Sequence, residues 1–272
     1  MIEVRETLFK SEHMFTTGDN PLLVTCTDFS DWVCKHGRLS ASTLFNEMMG
    51  SNFARVWGLR TPPICLINVA NSHLPDAHLN IIQPAFFQKP CFGSFYLKNS
   101  QVVDNTLLPS FRKSSFRKKI ANRSDLLKIG LFDIWLGNED RHRGNSNLLL
   151  DQREPNHYYF NVFDHGAIFN SNALHYGLEL ITEYESIICT ELTKILFSKI
   201  RSLTQIVDNI VEEFYLCIEN CEQELDNILQ DIPLQWGLNL VNLEELLRAN
   251  LFDPERNKNC ENHFRALIQA SI

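Results

Sequence analysis

No run in the 272-residue chain approaches about 18 consecutive apolar residues, so a membrane-spanning helix is not expected. The opening stretch, MIEVRETLFKSEHMF, has no uninterrupted apolar core between a basic start and a small-residue cleavage site, which argues against a secretory signal. None of the eight cysteines (26, 34, 65, 91, 189, 217, 221, 260) forms a CxxC pair. Without export a disulfide framework has little support, and the cytoplasm is the default compartment. Cys217 and Cys221 stand four apart on an expected helix, a spacing that suits two metal ligands; with no second pair nearby they read as buried thiols. Basic residues are in deficit, 25 Lys and Arg against 33 Asp and Glu, and the formal net charge of −8 disfavours a general polyanion binder. The chain has no GxGxxG, no Walker G-x-x-x-x-G-K-[ST], no HxH or HExxH, and no helix-turn-helix signal for binding DNA by itself. What is present, 44% hydrophobic and 21% charged residues, is ordinary for a folded globular chain and excludes disorder for most of it.

The first ninety-odd residues read as strand-rich with one helix. The apolar, β-branched run 21–27 follows the turn formers Thr17-Gly18-Asp19-Asn20, and 31–35 (DWVCK) reads as its hairpin partner. Ser40 or Ser42 caps a helix running through Trp57 to Gly58, and positions 45, 49, 53, 56 and 57 predict one buried face. Pro62-Pro63 opens a strand over 64–69, with a further strand signal at 78–82. From about residue 122 the character changes. Asn122 or Ser124 caps an amphipathic helix over 125–136 ending at Gly137, and strands at 148–150 and 158–163 flank a polar turn, DQREPNH. Helical periodicity follows over 186–201, 203–230 and 242–250, with Pro233 between the last two. There is no internal repeat. A small β-rich part followed by a larger helical part suits two lobes around a cleft.

The chemistry concentrates in 138–145, NEDRHRGN, and in Asp164-His165-Gly166. Asp140 and Asn145 are five apart on a loop between helix and strand, and Asp164 follows the next hairpin. Phosphoryl transfer needs a carboxylate to orient or deprotonate the acceptor hydroxyl, and separate oxygen ligands to hold a cation against the phosphates. A hairpin folds its ends together, so Asp164 can return beside Asn145. Each of these residues alone is more often a turn former than a catalyst. The specific signal is the dense run between helix and strand, with D-H-G after the following strand.

On these residues the chain resembles the HipA-like kinases, relatives of the protein-kinase and phosphoinositide-kinase folds. Their catalytic loop likewise carries D-R-H followed by an Asn, with a D-x-G-like metal segment after it. The segment 16–26 (TTGDNPLLVTC) resembles that family's phosphate-facing hairpin and 31–35 its lysine strand; N-E at 46–47 and GLRTPP at 58–63 resemble its small lobe. The resemblance implies an α+β, bilobal protein-kinase-like fold. A small β-rich N-terminal lobe with one main helix would span 1–97, and a larger helical C-terminal lobe 98–272. It implies ATP and Mg²⁺ as cofactors, with Asp140 as catalytic base or hydroxyl-orienting carboxylate and Asn145 and Asp164 as metal ligands, Asn147 being the alternative to Asn145. Lys35 would neutralise α/β-phosphate charge with Glu47 holding it, and Thr17, Gly18, Asp19 and Asn20 would face phosphate. Arg141 and His142 are expected to brace the loop. The segment 88–95 is expected near the lobe junction, where kinases hold adenine by backbone hydrogen bonds.

The expected reaction is transfer of the γ-phosphate to a Ser or Thr of a protein. A lipid or small-molecule hydroxyl is the alternative acceptor, and a nucleotide-binding pseudokinase module or a metal-dependent hydrolase the alternative function. The resemblance makes an antitoxin-like regulator and toxin–antitoxin biology plausible. The basic run 112–119 (RKSSFRKK) reads as a solvated mobile loop, the alternative being attraction of an acidic substrate or RNA; Ser114 and Ser115 within it are candidate phosphorylation sites.

Overall fold

The structure is a computed structural model that describes residues 1–11, 13–78 and 81–272. Among these, strands β1 (Val4–Glu6), β2 (His13–Met14), β3 (Leu22–Thr25), β4 (Asp31–Lys35), β5 (Ile64–Asn68) and β6 (Cys91–Phe95) form one sheet in the order β1-β5-β6-β4-β3-β2. β1 pairs parallel with β5, and the other neighbours pair antiparallel. The expected hairpin is β3–β4, and 64–69 supplies β5. Three and two residues are too short to show alternation, so β1 and β2 leave no sequence pattern. The strand expected over 78–82 falls partly on residues 79 and 80, outside the described residues; His78 ends a 3₁₀ turn. Most of the segment expected at the lobe junction is β6, a central strand whose Phe92 lies opposite Lys35.

Helix α1 (Ala41–Val56) starts where Ser40 accepts a hydrogen bond from the Thr43 N–H at 3.1 Å and stops at Gly58, whose φ of +69° a side chain would oppose. One buried face was expected. Instead every residue from Leu44 to Ala54 is buried, because α1 touches β6 on one side and helices of the second part on the other. The hairpin register puts Cys34, Cys65 and Cys91 with Cys26 in a smaller core on the sheet, beside Trp32 and Ile67.

The second part begins with β7 (Ser100–Val102), which joins β8 (Leu148–Glu154) and β9 (His157–Val162) in a three-stranded sheet. β8 and β9 run closer to their turn than the polar letters DQREPNH suggested, with a register irregularity between Asp151 and Glu154. The basic run is not a loop: it forms α2 (Leu108–Arg112) and α3 (Ser114–Arg117), seated on Phe111, Phe116, Tyr158 and Phe160. Its lysines remain exposed. Helix α4 (Asp125–Leu136) ends at Gly137 with φ +61°. A short segment α5 (Ile168–Asn172) precedes α6 (Glu191–Phe197), α7 (Leu203–Gln230), α8 (Leu240–Leu251) and α9 (Pro254–Ser271). α9 was not anticipated as a separate helix, since its sequence is polar; Pro254 at its first position and the Asp253 cap mark it.

The main core crosses from the first part to the second. Trp57, which caps α1, lies 5.0 Å from Phe132 and 5.4 Å from Trp135 of α4, and 5.7 Å from Phe214 of α7, ring centre to ring centre. Two further links join the segment between α7 and α8 to the first part: the Ile2 N–H donates to Asp231 Oδ1 at 2.8 Å, and Trp236 Nε1 donates to the Pro90 carbonyl at 2.8 Å.

Gly50, within α1, packs against His165 of the DHG segment. A Cβ there would meet His165 Cβ at 2.4 Å. Helix propensity alone favours Gly50→Ala by about 1 kcal/mol, whereas overpacking costs about 1–3 kcal/mol. We expect packing to win and Gly50→Ala to lower unfolding stability in urea; a stabilised variant would show that the helix can shift to accommodate a methyl group.

Candidate active site

Between the six-stranded sheet and the β8–β9 hairpin lies a cleft of about 860 Å³, a volume suited to a nucleotide-sized ligand. Its apolar part is formed by Pro21, Val33, Phe92, Leu149 and Phe163, beside the crossover Tyr96–Leu97 that leads from β6 to β7. Its polar part collects chemistry from both halves of the chain.

Lys35 ends β4, and its ammonium is nine-tenths buried. Nζ lies 2.5 Å from Glu47 Oε1, 2.5 Å from Asp164 Oδ1 and 3.9 Å from Asp19 Oδ2. Burial alone would lower the Lys35 pKa, but the charges of Glu47 and Asp164 outweigh it and raise it above the ordinary lysine value. Glu47 projects from α1 and is almost fully buried, which pushes its carboxyl up to about 7 against the opposing pull of Lys35. Burial also opposes ionisation of Asp164; the Lys35 charge and hydrogen bond overcome it and hold that carboxyl down at about 2. The second Glu47 oxygen accepts the His165 N–H at 3.1 Å, so one side chain of α1 grips both the lysine and the DHG backbone. His165 itself is buried edge-on to Phe132, and burial holds its pKa far below the usual histidine range, keeping the ring a neutral packing group.

Across the cleft, Asp140 follows α4 on a loop whose shape is set from beneath. Arg141 is completely buried; Nη1 pairs with Asp133 Oδ1 of α4, and Nη2 donates to the Phe163 carbonyl at 3.1 Å. Asn138 Nδ2 donates to the same Asp133 oxygen at 2.8 Å. His142 and Asn145 close a tight turn by exchanging backbone hydrogen bonds of 2.8 and 3.1 Å. Asp140 Oδ2 accepts from Asn145 Nδ2 at 2.9 Å and from Asn147 Nδ2 at 3.1 Å. The Phe163 N–H donates to the Asn147 carbonyl at 3.3 Å, which is how the hairpin returns Asp164 to this loop. Asp140, Asn145, Asn147 and Asp164 line this one cleft, and carboxylate and amide oxygens are donors of the type that suits Mg²⁺ or Mn²⁺.

The structure thus brings Thr17, Gly18, Asp19, Lys35, Glu47, Asp140, Asn145 and Asp164 to one cleft. Asn20 does not line it: its N–H closes the turn to the Thr17 carbonyl at 3.0 Å, and its carbonyl meets His36 Nε2 at 3.2 Å. A second groove, about 670 Å³ beside α9, contains none of the expected residues. Sequence reasoning gave Asn46 and Glu139 no role of their own and passed over the turn Phe169–Asn172, where four successive residues have φ of 61°, 45°, 54° and 81°. Left-handed backbone costs about 1–2 kcal/mol per residue for side-chain-bearing residues, although Asn tolerates it best. The available signal was a polar pair, Asn46-Glu47, between the apolar pairs Leu44-Phe45 and Met48-Met49 of α1.

A model of the HipA-like kinase family matches residues 8–259. Comparison with curated proteins finds no match. Among solved structures, the Helicobacter pylori proinflammatory kinase CtkA is similar over 98% of this chain and 99% of its own, at 13% identity and a TM-score of 0.55. The Golgi casein kinase is similar over 99% of this chain and 74% of its own, at 14% identity and a TM-score of 0.50. Identities this low speak for the fold alone, which is bilobal and kinase-like.

Removing Asp133 strands a buried guanidinium, which costs about 3–5 kcal/mol. Asp133→Ala is therefore expected to shift the urea midpoint strongly downward; a loss under about 1 kcal/mol would mean that Arg141 finds other compensation. Glu47 is competent to hold Lys35 only when ionised, and its raised pKa removes that form below about 7. In a pH series, kcat/KM for ATP should fall by about tenfold per unit below that point, and Glu47→Gln should flatten the limb.

Proposed function

This chain belongs to the HipA-like kinase family, and from that premise we propose that it transfers the γ-phosphate of ATP to a serine or threonine hydroxyl of a protein. The observation that carries the reading is the pair of opposed clusters in one cleft. Lys35, between Glu47 and Asp164, supplies a fixed positive charge where phosphates would lie; Asp140, held by Asn145 and Asn147, supplies a carboxylate where an acceptor hydroxyl would approach.

The adenine ring fits the apolar part between Val33 and Leu149, with the Tyr96–Leu97 backbone at its edge. The phosphates then run toward Lys35 and the 17–19 turn. Asp164 and Asn145 would hold the divalent cation, with Asn147 beside them, and when bound the cation neutralises charge on the phosphate oxygens. Asn145 and Asn147 direct their amide N–H groups at Asp140 Oδ2, which leaves Oδ1 to receive the acceptor hydroxyl and take its proton. Asp19, close to Lys35, must yield to arriving phosphate, since two anions cannot share that place. A protein acceptor and an antitoxin-like regulator, which the resemblance to HipA-like kinases suggests, belong to this proposal. Among the described residues no helix is long and apolar enough to cross a membrane.

Labelled ATP with Mg²⁺ and a cell lysate tests the assignment, comparing wild type with Asp140→Ala and Asp164→Asn. Loss of general-base and cation-holding groups should reduce transfer by about 10²–10⁴-fold. Equal labelling by all three proteins would overturn the roles, and label entering a lipid extract rather than protein would replace the acceptor.

A further inference from the structure

Helix α1 grips the segment after β9 twice, and the Lys35–Glu47 pair accounts for only one grip. The other is Asn46, which is 1% exposed. Its Nδ2 donates to the Gly166 carbonyl at 2.9 Å, the Ile168 carbonyl at 3.1 Å and Asn172 Oδ1 at 3.1 Å. One amide thus binds the end of the DHG segment and the far end of the left-handed turn. The same turn is tied to the catalytic loop from the opposite side. The Asn170 N–H donates to the Gly137 carbonyl at 2.9 Å, Asn170 Nδ2 to Glu139 Oε1 at 3.2 Å, and Ser171 Oγ to Glu139 Oε2 at 3.0 Å. Both oxygens of Glu139, the residue before Asp140, are therefore engaged by the turn. A Cβ on Gly137 would lie 2.9 Å from Asn170 Oδ1, so the approach is as close as the backbone permits. Four consecutive left-handed residues, and Asp164 itself at φ +59°, persist only where their surroundings over-determine them. Those surroundings are Asn46 on one side and Gly137 with Glu139 on the other.

We propose that Asn46 is a positioning residue for phosphoryl transfer. By holding the Gly166 and Ile168 carbonyls and Asn172, it sets Asp164 and, through the turn and Glu139, Asp140 in one register, so that cation-holding and hydroxyl-orienting carboxylates are aligned from α1. This rests on the kinase reading above. Asn46 touches neither nucleotide nor acceptor in this scheme; it acts through the backbone that carries Asp164. Donation is the essential property, because all three partners are oxygen acceptors.

The test is a Mg²⁺ titration of ATP-dependent transfer to lysate protein, with cation-dependent ADP binding measured by calorimetry on the same samples. Asn46→Ala is expected to lower kcat by about 10- to 100-fold and to raise the half-maximal Mg²⁺ concentration by a similar factor, with the KM for ATP at saturating Mg²⁺ changed by no more than about twofold. Asn46→Asp keeps the shape but removes the N–H donors and should be at least as impaired; near-wild-type behaviour of Asn46→Asp would overturn the proposal. Asn172→Ala leaves α1 intact and should move the same quantities less, in the same direction. Asn52, equally a buried α1 amide but bonded within its helix to the Met48 carbonyl at 2.9 Å, is the control, and Asn52→Ala should leave the Mg²⁺ dependence unchanged. If Asn46→Ala only lowers the melting temperature, with kcat per folded molecule and Mg²⁺ dependence unaltered, the role is merely structural and the proposal falls while the kinase reading stands. If wild type neither transfers phosphate nor binds ADP with Mg²⁺, the kinase reading fails and takes the proposal with it.

Discussion

A lysine ammonium taken almost wholly out of water is tolerated only with counter-charge at contact distance, and Lys35 obtains it from two places that are distant in the chain. Glu47 comes from α1 and Asp164 from beyond the β8–β9 hairpin, 129 residues away from the lysine. Desolvating one of these charges without its partners costs several kcal/mol, a large part of the roughly 5–15 kcal/mol that keeps a domain folded. The cluster therefore constrains three elements at once: the end of β4, the middle of α1 and the exit of β9. It carries more negative than positive charge, which is why Glu47, the more deeply buried acid, is the one pushed toward neutrality.

That constraint explains the unusual burial of α1. A helix that merely covered a sheet would leave one side in water. Here the side turned from the sheet carries Trp57 and Phe53 into the rings of α4 and α7, while Glu47 and Asn46 point at the 164–172 segment. The aromatic contacts fix the helix axis, and the two polar residues convert that fixed position into fixed geometry at the cleft. A polar side chain in such a place is costly unless hydrogen-bonded, and the Asn46 amide N–H groups have oxygen acceptors within reach.

Much of this was legible in the letters. Helix 125–136 announced itself by an apolar pattern and a terminal glycine, and α1 by Ser40 and Gly58. The β8–β9 strands could be placed because apolar β-branched and aromatic runs flank a polar turn. That Asp140, Asn145 and Asp164 share one cleft could be read from their spacing, because the hairpin between them folds its ends together. What escaped depends on contacts distant in sequence. Asn46 enters the sequence reading only within the N-E pair at 46–47, because the carbonyls it meets, Gly166 and Ile168, lie 120 and 122 residues away. The turn 169–172 has no glycine to advertise positive φ, since Asn170, Asn172 and their partners enforce it. The basic run looked solvated because its anchoring rings, Tyr158 and Phe160, come from β9. Cys26, Cys34, Cys65 and Cys91 appear scattered because strand pairing alone collects them.

The two hydrogen bonds that join the segment between α7 and α8 to the first part bear on how this molecule can move. Ile2, Pro90, Asp231 and Trp236 all lie away from the cleft lining, so they act as fixed pins rather than as contacts with a ligand. With α1 also embedded in the second part's aromatic core, a wholesale swing of one half away from the other would have to break pins and core together. The outer strands are tied as well: β3 pairs with β4 on one side, and its end meets the chain after β1, where the Leu8 N–H donates to the Thr25 carbonyl at 2.9 Å and the Thr27 N–H to the Glu6 carbonyl at 3.0 Å.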